Sequence, residues 1–90
     1  MNKRMKTATV YTRPLCGYCV RALTLLKNKG VEVVELSAGF DQKLREEMVA
    51  RSGGQRTYPQ IFIGDVHVGG SDELQELERS GKLDELLNAA

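Results

Sequence analysis

Apolar residues in this sequence change period several times, from the two of a strand to the 3.6 of a helix. The changes fall at Gly, Pro and short polar turns. Lys6 to Tyr11 carries Thr, Val and Tyr and reads as a first strand, ended by Pro14. From Gly17 to Lys29 the pattern is helical: Val20, Leu23 and Leu26 line one face, and Ala22 and Leu25 widen it. Gly30 stands where a helix end favours a left-handed residue, and Val31 to Leu36 follows as a second strand. Phe40, Leu44 and Met48 step by four, which predicts a helix over Asp41 to Ser52, capped by Asp41 and stopped by Gly53-Gly54. Ile61-Phe62-Ile63 and Val66-His67-Val68 flank Gly64-Asp65, a dipeptide suited to a tight hairpin. Ser71 is expected to cap a third helix with Asp72 and Glu73 in its first turn and Leu74 and Leu77 facing inward. Gly81 breaks it, and Leu83, Leu86 and Leu87 suit a short last helix.

The order β-α-β-α-β-β-α limits the topology. A β-α-β unit closes as a right-handed crossover between parallel strands, and the last two strands form an antiparallel hairpin. The fold class expected is therefore α/β, a four-stranded mixed sheet flanked by helices, the thioredoxin-like arrangement. Ninety residues make one domain, 1–90, and bury about two-thirds of the unfolded surface, enough for one core without staples.

Charge narrows the partners. Charged residues are 28% of the chain and nearly cancel, leaving a formal +1, so bulk charge makes no case for nucleic acid or an anionic membrane. No apolar stretch approaches the ~20 residues of a membrane span. The basic opening Met1-Asn2-Lys3-Arg4-Met5-Lys6 lacks the apolar run of a secretory leader, because Thr7, Thr9, Thr12 and Arg13 intervene. A soluble, cytoplasmic protein in a reducing compartment is expected.

The two cysteines, Cys16 and Cys19, sit three apart. A staple between them would close a tiny loop and stabilise little, which argues against a structural disulfide. A zinc site usually needs four ligands, and only His67 remains as a nitrogen ligand. An inert core pair is the bland alternative. A C-x-x-C inside a β-α-β pattern points instead to redox chemistry. Cys16 falls at the helix N-terminus, where free N–H groups and the helix dipole favour a thiolate, and Arg13 adds positive charge nearby. Cys16 is therefore expected to be the nucleophile. Cys19, one turn on and more buried, suits a resolving thiol. His67 alternates with Val66 and Val68 and is assigned no role.

Three segments resemble the glutaredoxin family, and the similarity runs from roughly Thr7 to Leu87. Tyr11-Thr12-Arg13-Pro14-Leu15-Cys16-Gly17-Tyr18-Cys19 is similar to the active-site segment of that family. Arg56-Thr57-Tyr58-Pro59-Gln60-Ile61-Phe62-Ile63 is similar to its T-V-P-x-[IV]-F-I segment, and Gly69-Gly70-Ser71-Asp72-Glu73-Leu74 to its G-G-x-D-[DE]-L segment. The resemblance implies a glutathione-dependent thiol–disulfide oxidoreductase acting on protein disulfides and glutathionylated proteins, with glutathione as co-substrate. It also implies roles by position. Pro59 would be a cis-proline that exposes the backbone of Tyr58, with Thr57 beside it, to pair with the cysteinyl part of glutathione. Arg13 and Arg51, or Gln55, would hold the glycine carboxylate. Gly70, Ser71 and Asp72 would hold the γ-glutamyl end, and Tyr18 would border the groove.

Two residues depart from the family pattern. Gly17 stands where proline is commonest, and Tyr58 where valine is commoner. Some relatives with a small residue at the first of these positions bind a [2Fe–2S] cluster between two subunits. The alternative expectation is therefore a dimer in which Cys16 and glutathione ligate such a cluster. The leading expectation is a monomer with no metal.

Overall fold

The structure, a computed structural model, describes residues 5–88. The basic opening Met1–Arg4 lies outside the described residues. The elements are β1 (Ala8–Thr12), α1 (Gly17–Asn28), β2 (Val33–Ser37), α2 (Gln42–Arg51), β3 (Gln60–Ile63), β4 (Val66–Gly69), α3 (Ser71–Arg79) and α4 (Lys82–Asn88). The sheet order is β2-β1-β3-β4; β1 runs parallel to β2 and antiparallel to β3, and β3 runs antiparallel to β4. This is the four-stranded mixed sheet that the period changes imply.

Side-chain alternation splits the core in two. Ala8, Val10, Ile61 and Ile63 face one side, where Ala22 and Leu26 of α1, Leu74 of α3, and Leu83 and Leu87 of α4 cover them. Tyr11 and Phe62 face the other, where Met48 of α2 covers them with Leu44 and Val49 beside it. The Tyr11 and Phe62 rings meet edge to face at 5.8 Å. Lys29, just past α1, pairs with Glu78 at 2.7 Å and Asp84 at 2.9 Å, tying α1 to α3 and α4.

Four expectations need correction. The first strand starts at Ala8, because the Lys6 N–H bonds to the Leu87 carbonyl and the Thr7 carbonyl accepts the Gly64 N–H, outside the ladder. The second starts at Val33 and runs on to Ser37. Val20 is 61% exposed, because Cys19 takes the inward position of the first turn and the buried stripe continues through Ala22 and Leu26. Phe40 is 90% exposed: it precedes the cap of α2, so the helical step from Leu44 and Met48 does not extend to it. Asp41 caps α2 as expected, its Oδ1 accepting the Leu44 N–H at 3.0 Å.

Leu74 is fully buried where α3 meets the sheet. Leu74→Ala should destabilise the chain by about 2–5 kcal/mol, the range for a buried leucine deletion. Denaturant unfolding measures this, and a loss well under 1 kcal/mol would show that α3 is not part of the cooperative core.

Candidate active site

Strand directions assemble the site. The C-terminal end of β1, the start of β3 and the C-terminal end of β4 lie at one end of the sheet, as the pairings Tyr11 with Gln60 and Ile61 with Gly69 require. The segments Arg13–Cys16, Thr57–Pro59 and Gly70–Asp72 therefore leave the sheet together.

After β1 the chain turns through Leu15, which has φ +56 and projects fully into solvent. Cys16 follows in extended conformation as the N-cap of α1. Its Sγ accepts the Cys19 N–H at 3.2 Å, the place an oxygen takes in an ordinary cap. The Val20 N–H bonds to the Cys16 carbonyl at 3.1 Å. The sulfur thus sits among the N–H groups that open α1, where negative charge is favoured. Cys16 is 7% exposed and Cys19 3%, and both are free. Burial, reinforced by the hydrogen bond to Cys16, pushes the Cys19 thiol up to about 12, although the backbone and charge of Arg13 pull the other way.

Gly39, which the sequence reading passed over, explains how Arg13 and Pro14 are held. A Cβ there would lie 2.7 Å from the Arg13 Cβ and 2.8 Å from the Pro14 Cδ. Only glycine lets the 37–41 loop approach so closely.

Opposite the cysteines, the Tyr58–Pro59 bond is cis. Tyr58 makes none of the backbone hydrogen bonds that tie the loops among the described residues. Its ring packs with Tyr11, Met48 and Phe62, and its hydroxyl donates to the Ala38 carbonyl at 3.5 Å. The tyrosine thus fills the α2 side of the core.

A groove of about 280 Å³ runs between Tyr18, Thr57, Tyr58, Pro59 and Gly70–Glu73. A second hollow of similar volume, lined by Gln55, Thr57, Gly70 and Glu73 among others, adjoins it through shared residues. A larger hollow of about 480 Å³ against α2 shares only Tyr58 with this groove.

Ser71 does not cap α3. Gly70 is the N-cap, and Glu73 Oε1 accepts its N–H at 2.8 Å. Ser71 is instead the first helical residue, 4% exposed, and its Oγ has no hydrogen-bond partner. Gly69 has φ +117, which favours glycine, and a Cβ on Gly69 or Gly70 would crowd the Glu73 side chain at 3.2 Å. Glu73 was legible as a first-turn acid, but its reach back to Gly70 was not.

The structure therefore gathers Tyr18, Thr57, Tyr58, Pro59, Gly70, Ser71 and Asp72 around one groove, with Gln55 on the adjoining hollow. It does not bring Arg13 or Arg51 there. Arg13 lines a separate hollow with Leu15, Phe40 and Tyr58. The Arg51 guanidinium donates to the Tyr11 hydroxyl at 2.8 Å and lies 4.2 Å from the Phe62 ring centroid, a packing role on the α2 side. Among the described residues no three His, Cys, Asp or Glu side chains converge as a metal site, and no helix is long and apolar enough to cross a membrane.

The glutaredoxin family model matches residues 8–68. The glutaredoxin of Pseudomonas aeruginosa is 49% identical over 85 residues, covering 94% of this chain and 100% of that one. The chain belongs to the glutaredoxin family. The solution structure of glutaredoxin from Brucella melitensis is 55% identical with a TM-score of 0.79, covering 93% of this chain and 90% of that one. A crystal structure of a buckwheat glutaredoxin–glutathione complex is 31% identical with a TM-score of 0.78, covering 89% and 74%. Membership carries a thiol–disulfide oxidoreductase role, for which this glutaredoxin holds a sulfur at a helix N-terminus and a second thiol one turn away.

The raised Cys19 value gives a signed pH dependence. Burial favours the neutral thiol in the folded chain, so the stability it lends is full below the free-thiol value of about 8.5 and is lost as the pH climbs toward about 12. Up to about pH 10, Cys19 should add no thiolate absorbance in the ultraviolet, so Cys19→Ser should leave the titration step unchanged. A step halved by Cys19→Ser would show that Cys19 ionises with its neighbour.

Proposed function

We propose that this chain is a glutathione-dependent thiol–disulfide oxidoreductase that reduces glutathionylated proteins and protein disulfides. The observation that carries the reading is the groove itself. It joins a backbone segment free to pair at Tyr58, a buried and unpartnered Ser71 hydroxyl, and the open N-terminus of α3 with Asp72 in its first turn. Such a set suits a γ-glutamyl peptide: the helix N-terminus and Ser71 take its carboxylate, Asp72 its ammonium, and the Tyr58 backbone its cysteinyl unit. The solved glutathione complex of the buckwheat relative supports this ligand. Gln55 and Thr57 line the adjoining hollow, and on this reading they would meet the glycyl carboxylate.

The chemistry follows from the two sulfurs. The Cys16 thiolate attacks the glutathione sulfur of a mixed disulfide; the S–S bond breaks, the protein leaves as its thiolate, and a Cys16–glutathione disulfide forms. A second glutathione thiolate attacks that bond, releasing glutathione disulfide and regenerating Cys16. With a protein disulfide, the Cys16 thiolate attacks one sulfur, the protein S–S bond breaks, and the other protein sulfur leaves as its thiolate. Cys19, once deprotonated, attacks the Cys16 sulfur, freeing the second protein thiolate and forming a Cys16–Cys19 disulfide, which two glutathiones reduce in two exchanges that release glutathione disulfide. In the dithiol form, burial and the neighbouring Cys16 hold Cys19 as a thiol. A dithiol cycled by glutathione works in a reducing compartment such as the cytoplasm.

Cys16→Ser should abolish reduction of every substrate, while Cys19→Ser should keep deglutathionylation and lose reduction of protein disulfides. A dead Cys19→Ser variant in deglutathionylation would reverse the assignment. Asp72→Ala should weaken apparent glutathione affinity by about 1–3 kcal/mol, the scale of a lost charged hydrogen bond. Steady-state kinetics with glutathione checks this, and unchanged affinity with lowered stability would leave Asp72 only a helix residue.

A further inference from the structure

His67 and Gln60 line the hollow that adjoins the groove, and a chain of hydrogen bonds runs from one through the other to Thr57. Gln60 opens β3 and is 2% exposed. Its Nε2 donates to both the Thr57 carbonyl and the Thr57 Oγ1, each at 3.0 Å, closing the loop around Tyr58–Pro59. A carbonyl oxygen only accepts, so the Gln60 amide nitrogen must face Thr57 and its Oε1 must point the other way. That oxygen lies 2.7 Å from His67 Nε2 on β4. His67 Nε2 must therefore carry a hydrogen. The neutral Nε2–H tautomer and the imidazolium both do, so the bond survives protonation of the ring. The ring lies 4.9 Å from Phe62, tilted by 31°, and pairs across the strands with it, which fixes its direction.

The consequence falls on Thr57. Its Oγ1 already accepts from Gln60, so its own hydrogen is free to be donated, and Thr57 lines both hollows of the groove. We infer that His67 is a positioning residue for the glutathione groove: through Gln60 it sets Thr57 as a donor to a carbonyl or carboxylate oxygen of the tripeptide. This rests on the reading of the groove as the glutathione site. Without the His67 donor, Gln60 Oε1 would be buried unpaired, and its amide would rotate or admit water, releasing Thr57.

The test uses five forms of the full chain: the parent, His67→Phe, His67→Gln, Thr57→Val and the double variant Thr57→Val with His67→Phe. Phenylalanine keeps a ring against Phe62 and removes the donor, whereas glutamine can return an N–H near the Nε2 position. His67→Phe should raise the KM for glutathione about 3- to 10-fold, the scale of one lost hydrogen bond, with kcat and the rate of Cys16 alkylation by iodoacetamide within about twofold of the parent. His67→Gln should restore KM to within about twofold. In a Thr57→Val background, His67→Phe should add nothing further, because the bond it supports is gone. Nitrogen-15 spectra of the parent should show His67 as the Nε2–H tautomer at high pH. A His67→Phe variant that melts earlier but keeps its KM would overturn the inference and leave His67 structural. So would a KM effect that persists in full on top of Thr57→Val, or an Nδ1–H tautomer. Absence of any glutathione turnover by the parent would instead overturn the glutathione reading, and the inference with it.

Discussion

The direction of β3 is the constraint from which the site follows. Because β3 runs antiparallel to β1, the chain enters it at the same end of the sheet at which it leaves β1. Because β4 reverses again, α3 also begins at that end. Three segments far apart in sequence are thus placed together before any side chain is considered. The two cores then act as a rigid support. With β3 running the other way, Pro59 would sit at the far end from Cys16 and the groove would not exist. The sheet contributes little chemistry of its own. It supplies a fixed distance between a helix N-terminus that carries sulfur and a loop that presents backbone.

Within that frame the two thiols are made unequal by one turn of helix. Cys16 occupies the cap position, where its sulfur replaces a missing backbone partner and faces the N–H groups of the first turn. Cys19 occupies the first inward position, where burial and the neighbouring sulfur favour its neutral form. A spacing of three residues is what permits both at once. It puts one residue just before the helix and the other on its buried side, while still keeping the sulfurs neighbours. The exposure of Val20 is the other face of the same fact, since Cys19 has taken the inward place that the hydrophobic pattern would otherwise assign to it.

Much of this was legible in the residues. The strand and helix order followed from the changes of period, the parallel first pair from the β-α-β unit and the last hairpin from Gly64-Asp65, while the antiparallel pairing of β1 with β3 was not read. The groups around the groove followed from three motifs. Three of the misreadings share a cause: they lie where a side chain is claimed by a partner, or a residue by a segment, that periodicity does not show. Ser71 carries the residue type of a cap, but the helix is capped one residue earlier at Gly70, so the Ser71 hydroxyl is buried without a partner. Phe40 keeps the helical step but lies outside the helix. Arg51 stands near the site in sequence order, yet an acceptor at Tyr11 and a ring at Phe62 hold its guanidinium on the α2 side. Periodicity reports which face a residue occupies. It carries no information on which polar partner wins a long side chain.

The same limit explains why the polar supports of the groove are the least visible part of the sequence. Gln60 reads as a polar residue ahead of an apolar strand, and His67 as the polar member of an alternating pair. Each looks like a solvent-facing residue until the fold removes water from between them, leaving Gln60 2% exposed. Once buried, an amide must place both its ends, and the geometry of Thr57 allows one orientation only. The glycines act in the same way. Gly39 is required by the approach of Arg13 and Pro14, and Gly69 by its φ of +117. The loops around Cys16 are therefore shaped by side chains bonded to backbone and by places where no side chain fits. A binding loop held in that manner loses little conformational freedom when a peptide pairs with it, and that is the advantage such a construction has over an unbraced loop.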